Sequence, residues 1–187
     1  MPPLSDAALL TRVGEMFDAV DPVPDGLVEH CQALLGMRAL TIRWPHVAAI
    51  VYPAPDGCLP KRTEIRKRPL SPSQLGPVAI HAGKAWDPAT AQGDAMRDWV
   101  AADGLDGIDL AASEGAILAV AELTDSHPAM PGCCPPWGVP GHGAFHWVID
   151  DVRPLAVPVP CRGQLGLWRP DMDTLGAVLR QLAEVAR

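Results

Sequence analysis

The chain has 187 residues, 48% hydrophobic and 20% charged, with a net charge of −7, enough for one domain with a well-buried core and no need of covalent staples. That acidity excludes a protein that coats polyanions over its whole surface, so any nucleic-acid contact has to come from a local basic patch. No stretch reaches the roughly 18 apolar residues needed to span a bilayer, the acidic N-terminus lacks the form of a signal peptide, and five cysteines without framework spacing point to a reduced, cytoplasmic setting.

In chain order, residues 5–20 read as an amphipathic helix, with Ser5 as N-cap and Leu9, Leu10, Val13, Met16, Phe17 and Val20 at helical spacing. DPVPDG breaks it, and 25–35 reads as a second short helix stopped by Gly36. This pair, 1–36, is expected to be an appendage that packs on the main domain or on a partner. The main domain is placed at 37–170. ALTIRW (39–44) is a strand, and Pro45 opens a helix through HVAAIV. GPVAIHAGK (76–84) is a buried strand, 88–103 is helical, and GAILAVAELTD (115–125) is the central strand. Residues 126–144, with five prolines and four glycines, form a long loop and an expected functional surface. FHWVIDDVRPL and CRGQLGLWRP add two strands, and 171–187 closes as an amphipathic helix. Short strands interspersed with helices, without regular alternation, imply an α+β domain with a curved sheet or small barrel.

One stretch stands apart. KRTEIRKR (61–68) gathers five of the fifteen Lys and Arg residues into eight positions, around a single carboxylate, Glu64. If 61–66 is extended, Lys61, Thr63 and Ile65 face one way while Arg62, Glu64 and Arg66 face the other. A turn at Lys61 would bring its ammonium toward Glu64.

The segments ALTIRWPHVAAIV, KRTEIR, GPVAIHAGKAWD, GAILAVAEL and FHWVIDDVRPL, followed by PVPCRGQLGLW, occur in the order found in ASCH-domain proteins. The chain therefore resembles that branch of the PUA-like superfamily over roughly residues 38–170. Lys61, Glu64 and Arg66 match the K-x-x-E-x-R part of the family's G-x-K-x-x-E-x-R signature. Leu59 stands where the glycine belongs, and PAPDGCLP lengthens the approach. The resemblance implies a PUA-like β-barrel with flanking helices and a cleft lined by the signature, sized for a nucleotide or a segment of RNA. Some relatives hydrolyse N4-acetylcytidine, with a threonine where this chain has Glu64 and a distant carboxylate, for which Glu122 is the candidate.

In such a cleft an Arg-paired glutamate stays ionised and accepts hydrogen bonds from a base's exocyclic amine, while Arg66 grips a phosphate or carbonyl. Lys61, if desolvated, is a candidate base or nucleophile. Lys61 and Glu64 are thus the candidate catalytic pair. Arg66, Thr41, Trp44, Lys84, Trp137, His146, Arg62, Lys67 and Arg68 are the expected binding residues. Trp44, Trp137 and Trp147 are the expected stacking platforms, because every base offers a π-face; Trp86, Trp99 and Trp168 are expected in the core. The competing readings are an RNA- or nucleotide-binding module, an amidohydrolase or weak ribonuclease, and a protein-interaction module working through 1–36. A purely structural Glu64–Arg66 ion pair is the plain alternative to all three.

No cofactor is expected. His127, Cys133, Cys134, His142 and His146 follow the spacing H-x5-C-C-x7-H-x3-H, which lacks the C-x2–4-C knuckle, and adjacent cysteines are poor joint ligands for one ion. The cysteines are expected to be reduced thiols and no zinc is expected. His146 and His81 are placed as lining the cleft or satisfying core hydrogen bonds.

Overall fold

A computed structural model describes residue 34 and residues 36–87 and 93–185. The chain divides after Gly36, and the helical pair expected over 1–36 lies outside the described residues. Everything below concerns residues 37–187.

The fold is α+β, built on one six-stranded mixed sheet in the order β2-β5-β4-β3-β1-β6. Strand β1 (Arg38–Trp44) alternates cleanly: Leu40, Ile42 and Trp44 enter the larger of two cores, while Met37, just before it, and Ala39 enter the smaller. Strand β3 (Gly76–Trp86) repeats the pattern with Val78, Ile80 and Ala82 on one face and Ala79 on the other. Both faces of these strands are covered, which is why they read as near-continuous apolar runs.

β1 and β3 run parallel, Leu40 opposite Ile80, so the chain between them has to cross over. It does so through helix α1 (His46–Val51), buried at every position except His46. A helix apolar all round is stable only inside a core. The crossover then lays down β2 (Thr63–Arg66) at the far edge of the sheet, antiparallel to β5 (Phe145–Pro160). The meander β3, β4 (Ala116–Pro128), β5 supplies the antiparallel centre. Helix α2 (Gly93–Ala101) buries Met96 and Trp99 in the larger core. A short turn of helix, α3 (Leu110–Ser113), is capped by the Asp109 side chain. The last helix, α4 (Met172–Val185), covers the other face with Leu175 and Val178.

The expectation of a barrel is corrected: the sheet is open. Its edge strands, β2 with four residues and β6 (Leu167–Trp168) with two, sit at opposite ends of the strand order. Closure would require them to pair, and β6 is too short to offer a ladder. Short edges limit edge-to-edge association instead. The two strands expected from FHWVIDDVRPL and CRGQLGLWRP are also revised. β5 runs without a break through Pro154, Pro158 and Pro160, and only Leu167–Trp168 of the second segment is extended. Prolines are tolerated because β2 ends opposite Val148, so beyond that point β5 is paired on the β4 side alone.

Gly104 lies flat against the buried indole of Trp99; a Cβ there would sit 2.5 Å from ring carbons. Gly104→Ala is expected to destabilise the fold by about 1–3 kcal/mol through overpacking, read as a lower denaturation midpoint at unchanged slope.

Candidate functional site

β2 behaves as the alternation requires. Glu64 and Arg66 point to one face and Thr63 and Ile65 to the other, with Glu64 opposite Trp147 and Ile65 opposite His146 on β5. Lys61 lies just before the strand, its backbone N–H donating to the Ala49 carbonyl of α1 at 2.8 Å. Its side chain is almost fully buried and donates to the Thr63 carbonyl and to Glu64 Oε2, the latter at 2.9 Å. Arg66 approaches the other oxygen, Glu64 Oε1, at 3.2 Å, donates to the Thr41 carbonyl at 2.9 Å, and stands 5.8 Å over the Trp147 ring. The three signature side chains form a single network. Glu64 is at its centre, with 14% of its side chain exposed against 26% for Arg66.

Burial alone would raise the Glu64 carboxyl, but the charges of Lys61 and Arg66 and the Lys61 hydrogen bond outweigh it and hold the group below its ordinary value. His46, the first residue of α1, feels the same network. Burial first, then the Lys61 charge, push it down against the pull of Glu64 and Asp87, and its Nε2 lies 3.3 Å from Asp87. Around this network the buried nitrogens Arg66 Nε, His46 Nδ1 and Trp44 Nε1 have no hydrogen-bond partner among the described residues. Buried donors without acceptors are rare in a finished core.

The remaining expected residues divide. Arg62 turns back, donating to the Ile50 and Lys61 carbonyls at 3.1 and 3.0 Å; Lys67 and Arg68 are exposed beside β2. Thr41 contributes only its carbonyl, because its hydroxyl accepts from Trp168 on the opposite face. Lys84 is exposed and lays its stem across Gly115. Trp44 and Trp137 are corrected as exposed platforms: Trp44 is fully buried, and Trp137 is buried with its Nε1 donating to the Leu59 carbonyl. Both rings belong to the larger core. Trp147 is buried too, its Nε1 on the Arg68 carbonyl. Trp86, expected in the core, is instead 43% exposed, stacked on Trp44 at 5.7 Å and 21°, with Nε1 donating to Glu114. It ends β3, one residue before Asp87, the partner of His46. Nothing in the sequence marked Trp86 above the other tryptophans; it lies at the last paired position of β1 and β3, where the sheet ends.

His146 faces away from Glu64, being opposite Ile65 rather than within the Trp147 register. His81 is a core histidine, its Nε2 3.2 Å from the Cys161 carbonyl and its ring edge-on to Trp168. Glu122 alternates with the core residues Ala121 and Leu123, out of the face that carries the signature. A cavity of about 640 Å³ opens beyond α1, between Tyr52–Asp56 and the 102–108 loop. Asp56, Asp103 and Asp106 line it, a composition that repels phosphate. No protein-family model matches this chain, and no curated protein does.

Glu64→Gln leaves the Lys61 ammonium buried without its counter-charge and is expected to cost about 3 kcal/mol at neutral pH, the lower end for a broken buried pair because the amide keeps an acceptor oxygen. The folded-state carboxyl lies below its ordinary value of 4.5. Its contribution is therefore present above that pH and lost as pH falls through the depressed value. The gap between wild type and variant should shrink on acidification below about 4.5 in denaturant titrations; a gap that is constant with pH would show that the Glu64 charge contributes nothing.

Proposed function

We propose that this chain is an ASCH-type, PUA-like domain that binds RNA or a modified nucleotide at the Lys61–Glu64–Arg66 network. The supporting observation is the pairing of a largely buried carboxylate with buried nitrogens, Arg66 Nε and His46 Nδ1, that have no partner among the described residues. A nucleobase offers the complement: an exocyclic amine for Glu64 and a ring or carbonyl acceptor for Arg66. Trp86 supplies an exposed π-face, and Lys67 and Arg68 supply the cationic rim that an acidic protein needs to admit a polyanion.

Binding is favoured over amide hydrolysis on one geometric ground. Lys61 Nζ is tied up by the Thr63 carbonyl and by its ion pair with Glu64 Oε2, so the nitrogen is engaged within the fold and not free to attack a substrate.

Binding of labelled single-stranded RNA and of N4-acetylcytidine is the test. Arg68→Ala should weaken all oligonucleotides alike and flatten the slope of log K against log salt by about one phosphate. Glu64→Gln, measured where circular dichroism shows it folded, should change which base is preferred with little effect on the slope. Wild-type protein that binds neither probe sinks the proposal and leaves the network as a structural ion pair. Release of cytidine from N4-acetylcytidine would replace it with the hydrolytic reading.

A further inference from the structure

On the face of the sheet opposite Glu64, four side chains that the linear spacing kept apart come together. His127 ends β4 and His146 begins β5, directly opposite each other in the ladder, their rings 5.6 Å apart and edge to face. Cys133 and Cys134 come down on them from the 129–144 loop. Cys133 Sγ lies 3.1 Å from His146 Nδ1 and Cys134 Sγ 3.3 Å from His127 Nε2, and all four ligand atoms lie within 4.8 Å of one another.

We propose that His127, Cys133, Cys134 and His146 bind one structural zinc ion. A zinc with thiolate sulfur at about 2.3 Å and imidazole nitrogen at about 2.0–2.1 Å gives tetrahedral edges of about 3.4–3.8 Å. The observed separations bracket that range, and the longest, at most 4.8 Å, closes to it with about an ångström of side-chain movement. Two sulfurs and two nitrogens in a tetrahedral set select zinc among the common divalent ions.

The outer contacts are those of a ligand set. His127 Nδ1 is 2.7 Å from Asp125 Oδ2, and His146 Nε2 is 3.1 Å from the Val139 carbonyl. Each imidazole thus hands its far nitrogen to an acceptor and aims the near one at the shared point, which fixes the tautomer a metal needs. His146, wholly buried, has no other evident use for its Nδ1.

The objection from adjacent cysteines is met by the backbone. Cys134 has φ 55°, in the left-handed region that a β-carbon residue enters only when its surroundings impose it. That turn swings two consecutive side chains to one side instead of opposite sides. Gly138 closes it, its N–H donating to the Cys134 carbonyl at 2.6 Å, and a Cβ at Gly138 would run into the Cys133 carbonyl. Four protein ligands leave no open position, so the ion is structural and not catalytic. It clips the loop that carries Trp137, and Trp137 in turn holds Leu59 at the entrance to Lys61.

The test uses the full chain, dialysed against metal-free buffer and assayed for zinc, then reloaded with cobalt chloride. About one tightly held zinc per chain is expected, together with the intense visible bands of tetrahedral cobalt and a thiolate-to-cobalt charge-transfer band. His127→Ala and Cys134→Ser should each abolish retention, and His142→Ala, outside the four, should leave it intact. A folded wild-type chain without zinc and without the charge-transfer band overturns the proposal, whatever the variants do. So does a Cys133–Cys134 disulfide found by mass spectrometry, or a His142→Ala variant that loses metal as His127→Ala does.

Discussion

A carboxylate placed between two cations at the edge of a sheet is the constraint on which this structure turns. β2 has only four residues, too few to hold itself to β5 by ladder bonds alone. The charged side chains around it do the rest. Lys61 reaches Glu64, Arg66 reaches both Glu64 and the Thr41 carbonyl of β1, and Arg62 reaches the Ile50 carbonyl of α1. The strand is therefore tied to the helix that delivers it and to a strand four places away in the sheet order. Desolvating these charges costs more than their mutual attraction is certain to return. An apolar edge of the same shape would be easier to build, and that cost is what favours the proposed ligand role over a purely structural one.

The ordered segments and the alternation within KRTEIR were legible in the sequence because they rest on local rules. Period-two patterning put Glu64 and Arg66 on one face, and continuous apolarity marked β1, β3 and β4 as strands covered on both sides. What was not legible depended on distant chain. That Trp44 and Trp137 are buried while Trp86 is exposed is decided by which loops cover them. The open sheet follows from the crossover through α1, which sends β2 to the edge opposite β6.

The cysteine–histidine cluster illustrates the same limit. Spacing along the chain describes knuckles made by one turn, and this set is assembled by a cross-strand pair and a loop returning over it. His142, four residues before His146, shares the linear spacing but is exposed; His127, nineteen residues away, is the one that the β4–β5 register delivers.

The crossover has a consequence for how the chain acquires its site. β2 finds its ladder partner only in β5, so that Thr63 meets Val148 across 85 positions of sequence. Contacts of that separation form late, after the nearer pairings of the β3–β4–β5 meander have shortened the effective loop. On a ribosome, a chain that has not yet extruded Val148 has α1 and the basic run but no strand to receive them. Its Lys61, Glu64 and Arg66 then remain hydrated and unconverged. The recognition proposed for this site would thus be the property of a finished domain, since a truncated nascent chain carries the same charges without their convergence.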